Sequence, residues 1–294
     1  MTPALTLVLP LRAKESISTA DFYEYWLNAH VTLPARFPGI DTIWLHAVSF
    51  GRSRWPAVPG IDNRPAPEAE FHGVPEAVFQ SMAGLAEFQA ASRVQMEDGI
   101  NFLSEMLGYA SLGPNSATAL DSLDLPAPRG DDTLLRHLVF LRSRPDVPVD
   151  EFRRFVTGTL VPAYAAAPQV RKLRRHLFEP LDITLDHPGV VQYKPPEQQY
   201  QAALEIVVTD ESTLDDFAAS AGWTGTVDGL AAHCVAVHAA RVDRCITTKY
   251  AGAITLAGVR GVAVADVIGR LAADSQRDQE VSDLFLPAPL PALT

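Results

Sequence analysis

The feature that most limits what this chain can fold into is an order of elements that occurs twice along its 294 residues. A repeat outranks any motif, because each copy must bury its apolar faces and the neighbouring copy is the nearest partner. In the first half, 5–12 reads as an apolar strand and 19–29 as a helix, with Phe22, Tyr25, Trp26 and Ala29 at helical spacing and Ser18 placed to cap it. Strand patterns follow at 42–50 and 70–79 with a Pro-rich loop at 51–69 between them, then a long helical pattern at 82–107 and a short strand at 109–112. That order is β-α-β-β-α-β, the split βαβ unit.

The order returns after 113–132, a stretch whose Pro114, Asn115, Ser116, Pro126, Pro128 and Gly130 read as an exposed linker. Strand 134–142 leads to helix 149–164, with Pro148 suited to its first turn, and strand 170–178 to a second Pro-containing loop at 179–199. Strand 200–208, helix 213–240 and strand 245–251 complete the copy. Four residue pairs occur in the same order in both halves: Asp21-Phe22 with Glu151-Phe152, Leu45-His46 with Arg175-His176, Glu87-Phe88 with Asp216-Phe217, and Tyr109-Ala110 with Tyr250-Ala251. The expected division is a first repeat at 1–113, a linker at 114–132, a second repeat at 133–252 and a tail at 253–294. The tail carries a helical stretch at 262–273 and a Pro-rich end at 284–293, and is expected to strap the fold or mediate association. Both helices of such a unit cover one sheet face, so the other face must find a partner. The expectation is an α+β chain whose two sheets pack face to face as an intrachain barrel, with a pocket between sheet and helices or inside the barrel.

Composition removes several classes. Lys and Arg number 24 against 35 Asp and Glu, a net charge of −11 that repels phosphate backbones and anionic lipid, so no nucleic acid and no membrane is expected as a partner. Cys234 and Cys245 are the sole cysteines, which suggests free thiols in a reducing, cytoplasmic setting and neither a disulfide framework nor a structural metal. The apolar start at 4–11 follows no basic residue, is interrupted by Pro10 and precedes no small-residue cleavage site, so it reads as a strand and not a signal peptide. No uncharged apolar run approaches the roughly 20 residues of a membrane span.

Phe22, Trp26 and His30, continued by Leu33-Pro34 and by His46 on the next strand, form a run that resembles the Phe-x-x-x-Trp-x-x-x-His signature of EthD-like proteins. These are small ferredoxin-like proteins of the dimeric α/β-barrel superfamily. The architectural resemblance covers about residues 5–251, but the motif lies in the first half alone, since Val156 and Leu160 stand where Trp26 and His30 would recur. This implies two tandem ferredoxin-like repeats, one with a working pocket and one degenerate. The superfamily spans polyketide cyclases, dehydratases, muconolactone isomerases, cofactor-free quinone-forming monooxygenases and haem-handling members, so the fold alone does not select a reaction. The resemblance implies a modest apolar pocket with a few polar groups, often His or Tyr, acting on aromatic or polyenone-like molecules with no dissociable cofactor.

His30 falls at the edge of the helix's buried stripe, where an imidazole could exchange a proton at neutral pH or, alternatively, bond the helix-terminal carbonyls. His46 alternates with Trp44, Val48 and Phe50 on one strand face, and His72 with Glu70, Val74 and Glu76 on another. If both faces line one cavity, Glu76 could orient a histidine or act as an acid or base with its pKa tuned upward; otherwise His72 and Glu76 face solvent or the loop. Tyr23, Tyr25, Trp44, Trp55 and Phe71 could supply aromatic walls, with Trp55 as a lid and Trp26 as core support, although aromatic residues at element spacing are core first. Arg136, His137, Arg171, Lys172, Arg174, Arg175 and His176 concentrate positive charge on two strands, which would suit a carboxylate-bearing substrate or an edge strand guarded against pairing.

No dinucleotide or phosphate-binding Gly-rich loop, no Gly-x-Ser-x-Gly elbow and no His-Glu-x-x-His is present. The leading expectation is a cofactor-independent enzyme that uses His30 with His46 or His72 and Glu76 for dehydration, cyclisation or isomerisation of an aromatic or polyketide-like compound. Cofactor-free oxygenation of a dihydroxyaromatic compound and a non-catalytic ligand or haem carrier are the alternatives. Association into a homodimer stays open.

Overall fold

The computed structural model describes residues 3–123, 134–181 and 189–286. The first repeat opens with β1 (Leu5–Val8) and β2 (Leu11–Ala13), parted at Pro10. α1 (Thr19–Tyr25) starts at Ser18, whose Oγ accepts the Asp21 amide at 3.0 Å, as the cap pattern predicts. It runs through a π-helical turn, Trp26–His30, into α2 (Thr32–Arg36). β3 (Thr42–Ser49), β4 (Gly73–Phe79), α3 (Met82–Ala91), α4 (Arg93–Gly99), β5 (Leu103–Met106), β6 (Tyr109–Leu112) and β7 (Ser116–Asp121) follow.

The second repeat has β8 (Leu135–Ser143), α5 (Val149–Phe155), a π-helical turn at Val156–Leu160, and α6 (Val161–Ala165). β9 (Lys172–Leu177), β10 (Ala202–Val208), α7 (Glu211–Ala219), α8 (Ala221–Thr224), α9 (Val227–His233) and β11 (Cys234–Tyr250) complete it. The π turn interrupts the first helix at the same point in both repeats. His46 and His176 each stand four residues into β3 and β9, and Glu76 and Glu205 each stand three residues into β4 and β10. A local irregularity and a buried charge that recur in register are marks of duplication that element order alone could not supply.

The two sheets do more than face each other, because their edges are joined. β6 pairs with β1 of its own repeat while its continuation β7 pairs with β9 of the other. β11 likewise pairs with β8 through its first half and with β3 through its second. With β1–β4–β3 and β8–β10–β9 completing the pairings, all antiparallel, the strands close into a ring. Val8, Val48, Val74, Tyr109, Leu138 and Phe140 belong to a core inside the ring, while separate apolar cores lie between each repeat's strands and its outer helices.

Three expected elements differ. The helix at 213–240 ends at His233, and the Ala-rich 234–240 joins β11 instead, because pairing along both edges of that strand outweighs alanine's helical preference. This displaces the Tyr109-Ala110 with Tyr250-Ala251 match: Tyr109 lies opposite Val8, and the residue opposite the corresponding Leu138 is Ala240. The helix at 82–107 breaks into α3 and α4, and Leu103 already belongs to β5. Of the linker, 116–121 is strand β7, and its part from 124 onward lies outside the described residues.

After β12 (Ala253–Ile254) the chain forms α10 (Leu256–Arg260), α11 (Val262–Arg270) and α12 (Gln279–Asp283). Arg36 donates to the Gly258 and Val259 carbonyls at 3.0 and 2.9 Å, and the Ala263 amide donates to Asn28 Oδ1 at 2.7 Å. The described tail therefore straps the helix that carries His30; the end of the Pro-rich segment, from 287, lies outside the described residues. Among the described residues no helix is long and apolar enough to cross a membrane.

Candidate functional site

Between the first repeat's strands and its helices lies a cavity of about 60 Å³, walled by apolar side chains such as Leu9, Ile43, Leu45 and Phe88 and reached by Trp26 and His30 from the π turn. A smaller space adjoins it, sharing His30, Gln95 and Met106 and adding Val190 and Gln192. Trp26 is fully buried and packs so closely over β4 that a Cβ on Gly73 would lie 2.6 Å from its ring, so glycine there gives the indole its seat.

His30 is held from behind. Its Nδ1 lies 2.7 Å from Asp98 Oδ2, and the Tyr25 hydroxyl donates to Asp98 Oδ1 at 2.6 Å. The edge of the Phe102 ring system closes the other side at 4.8 Å between centroids. The His30 hydrogen bond holds the Asp98 carboxyl below the usual carboxylate range, and the bond to Asp98 pushes the Tyr25 phenol up. Asp98 is therefore an anion that fixes the imidazole's orientation and leaves Nε2 as the ring nitrogen available to a ligand, the logic of a base oriented by a third group. π turns recur at functional sites, but the second repeat has one too, holding Val156 and Leu160, both fully buried. Tyr25, Trp26 and His30, replaced by Phe155, Val156 and Leu160, distinguish the first copy, whereas Asp98-Gly99 recurs as Asp228-Gly229.

His46 and Glu76 lie elsewhere, inside the ring. Glu76 pairs with both terminal nitrogens of Arg174, and His46 Nε2 and His176 Nε2 each stand 3.8 Å from it, beyond hydrogen-bond reach. Glu205, the counterpart of Glu76, pairs with Arg136 and lies 3.5 Å from both Lys172 and Arg174. Burial would raise the Glu76 pKa, but Arg174 above all overrides it and holds it down at about 2. The expected upward tuning is thus reversed by a cation on the other repeat. Burial works against charge on His46, yet Cys245, Glu76 and Glu205 push its pKa up to about 9, whereas burial holds His176 down at about 4. Cys245 faces His46 across β11 and β3 as Ser116, 3.0 Å from His176 Nδ1, faces His176 across β7 and β9.

His72 does not join either group. The alternation breaks before Gly73, so Phe71 points into the ring against Phe50 and Phe140 while His72 points outward against Phe22, its Nδ1 accepting the Ala13 amide at 3.3 Å. Tyr23 is tied to the backbone, its hydroxyl donating to the Val48 and His72 carbonyls at 2.9 and 3.0 Å. Trp44 lies in the ring with the Arg174 guanidinium 4.5 Å from its ring centre. Of the ten histidine, glutamate and aromatic candidates, then, only His30 and Trp26 line the cavity. The cationic strands face the same correction: Arg136 and Arg174 are spent on Glu205 and Glu76, and β9 is paired on both sides, so neither a carboxylate receptor nor a guarded edge describes it.

Trp55 covers the wrong repeat for a lid over His30. Its ring packs against His137, Tyr164, Phe217 and Trp223, filling the second repeat's equivalent space. Its loop is anchored there by Asp62, whose amide donates to Val235 and whose carbonyl accepts from Val237. The exchange is reciprocal: Val191 of the second loop bonds Ser104 and Met106 on either side, both at 2.9 Å, and places Val190 and Gln192 at the His30 cavity. Asp98, Gln95 and Gln192 escaped the sequence reading because the first two are unremarkable polar residues on a helix and the third belongs to the other repeat. Among the described residues, no group of three or more His, Cys, Asp or Glu is placed to hold a metal ion.

Residues 14–105 match the EthD domain family model. The matched segment contains His30, Gln95 and Asp98 and ends within β5. No curated protein matches the chain in sequence. Two solved structures named "putative monooxygenase" are similar: one from Fusobacterium nucleatum, at TM-score 0.51 and 8% identity, covering 85% of this chain and 96% of its own, and one from Lactobacillus acidophilus, at 0.47 and 12%, covering 85% and 98%. An anthrone oxidase-like protein is similar at TM-score 0.49 and 9% identity, covering 83% of this chain and 92% of its own. At 8% identity the likeness to the Fusobacterium nucleatum protein extends to the fold, and the EthD match places the family resemblance on the repeat that holds the cavity.

Proposed function

We propose that this protein is an enzyme that removes a proton from an uncharged aromatic or polyketide-like carbonyl compound, with Nε2 of His30 as the base. The observation that carries the reading is the Tyr25–Asp98–His30 chain of hydrogen bonds ending at an apolar cavity. When His30 takes a proton, the imidazolium forms 2.7 Å from an anion already in place, so the surroundings need not reorganise. The enolate or phenolate left in the cavity is then held beside that imidazolium and away from water. His30 can return the proton to a different atom, giving isomerisation, or to a leaving hydroxyl, giving dehydration.

The cavity of about 60 Å³ is smaller than the roughly 300–1,000 Å³ typical of drug-sized ligands, so an aromatic substrate enters by turning unbranched wall side chains such as Met106 and Gln95. A carbanion rich enough in electrons would also react with dioxygen. The structurally similar Fusobacterium nucleatum protein carries a monooxygenase name, which supports testing for that outcome.

The test is deuterium exchange at the acidic carbon of a panel of phenolic ketones and lactones in D2O, followed by NMR, with dissolved oxygen recorded in parallel. Exchange that disappears in His30→Gln supports the reading, and oxygen uptake separates oxygenation from isomerisation or dehydration. Exchange that persists in His30→Gln, or that never exceeds the buffer rate, refutes it.

A further inference from the structure

Two buried amide atoms at this cavity have no partner in the protein. Gln95 Oε1 and Gln192 Nε2 are both shielded from solvent and make no hydrogen bond, and both side chains line the space they share with His30. Buried polar groups are nearly always satisfied, so a pair of orphans facing one cavity marks where a ligand's polar atoms belong. Gln95 Oε1 offers an acceptor and Gln192 Nε2 a donor, and because either amide can turn end for end the pair can present one of each to a ligand in either order.

Gln95 comes from α4 of the first repeat and Gln192 from the loop of the second, next to Val191, which is held by backbone hydrogen bonds on both sides to β5. A residue fixed in that way selects ligands better than one on a free loop, because little ordering remains to be done on binding. No Lys, Arg, Asp or Glu lines either space among the described residues. An anionic head would therefore enter without a compensating cation.

We propose that Gln95 and Gln192 are specificity-determining residues that select an uncharged substrate bearing a hydroxyl and a carbonyl on neighbouring carbons of an apolar ring system. This rests on the reading of the His30 cavity as the substrate site. The ring body occupies the apolar chamber, one amide donates to the carbonyl oxygen, the other accepts from the hydroxyl, and the acidic, hydroxyl-bearing carbon next to the carbonyl comes within reach of His30. The second repeat, which lacks an equivalent histidine, thereby contributes to the first repeat's substrate choice.

The experiment measures binding of tetralin, 1-tetralone, 2-hydroxy-1-tetralone and a carboxylated 1-tetralone to the full chain, by Trp26-sensitive fluorescence and ligand-observed NMR. Wild type should prefer the hydroxyketone to tetralin by roughly 100-fold, about one tenfold step for each of the two hydrogen bonds, and should bind the carboxylate most weakly. Gln192→Leu and Gln95→Leu should each lose roughly 10-fold for the hydroxyketone while retaining tetralin binding, which also reports that the fold is intact. Gln192→Asn, which keeps the amide but withdraws it by one methylene, should lose the same preference if the leucine variant fails to fold. Equal affinity of wild type for tetralin and the hydroxyketone, an unchanged preference in the variants, or no binding of any of the four would overturn the proposal. Because binding is read separately from deuterium exchange, discrimination without exchange leaves recognition standing and removes the catalytic reading, and exchange without discrimination does the reverse.

Discussion

Replacing Glu76 with glutamine isolates the anion around which the ring interior is organised. The carboxylate has its pKa lowered from 4.5 to about 2, which corresponds to about 3 kcal/mol of stability at neutral pH. The general cost of such a change is similar: removing one member of a buried ion pair costs roughly 3–5 kcal/mol, because the partner is left charged and unpaired. Here that partner is Arg174, with His46 beside it; His176, its pKa held down at about 4, is neutral at pH 7 and contributes no charge. Since the folded pKa is depressed, Glu76 stabilises fully above about pH 4.5, and the contribution fades as pH falls towards 2. His46 has the opposite sign: its pKa of about 9 lies above the ordinary value of 6.5, so its contribution is complete below pH 6.5 and is lost as pH rises through 9. Urea denaturation of wild type and Glu76→Gln at pH 7 should differ by about 3 kcal/mol, and NMR of the histidine ring protons should show the His46 pKa falling in the variant. A difference below about 0.5 kcal/mol, within the range of ordinary surface substitutions, together with an unmoved His46 titration would refute the argument.

Two further outcomes follow from the site and its imitation. Asp98→Asn should slow deuterium exchange roughly 100-fold or more with little change in ligand affinity, because the amide neither fixes the imidazole in the same way nor stabilises the imidazolium; a loss of binding with unchanged exchange would place Asp98 in substrate recognition instead. Trp55→Ala should destabilise the chain by about 3 kcal/mol, by opening space among His137, Tyr164, Phe217 and Trp223, while ligand affinity at the His30 cavity stays within twofold; denaturation and the same binding assay check both halves.

Local pattern in the sequence carried the strands, the Ser18 cap and the side of β3 on which His46 lies, because alternation and capping depend on a few neighbouring residues. What His46 and Glu76 meet on that side could not be read the same way. Arg174 and His176 come from the other repeat, so the expectation that a partly buried Glu76 would be tuned upward has the sign of its pKa shift reversed. The chemistry at His30 shows the same division. The spacing of Phe22, Trp26 and His30 is visible along one helix, but Asp98 lies on α4, where one carboxylate among exposed polar residues carries no distinguishing pattern. The break in alternation before Gly73, which separates His72 from Glu76, falls where the Trp26 ring lies against the strand, a contact that the strand's own sequence does not show.

Joining two copies in one chain also changes what each copy is free to become. In the closed ring each repeat's loop lies beside a strand of the other, with Asp62 beside Ala236 of β11 and Val191 beside Glu105 of β5, so each cavity is walled partly by the opposite copy. Two identical chains would have to use one loop sequence both to cover a cavity and to belong to the unit covered. In tandem the two loops can diverge: the first brings Trp55, which with Tyr164 and Trp223 fills the second copy's space, and the second brings Val190 and Gln192, which leave the first copy's space open. Leu160 where the first copy has His30, and Trp55 packed against His137, together make this part of the second copy core. It follows that restoring histidine at Leu160 alone would not restore a site, because Trp55 already occupies the space it would face.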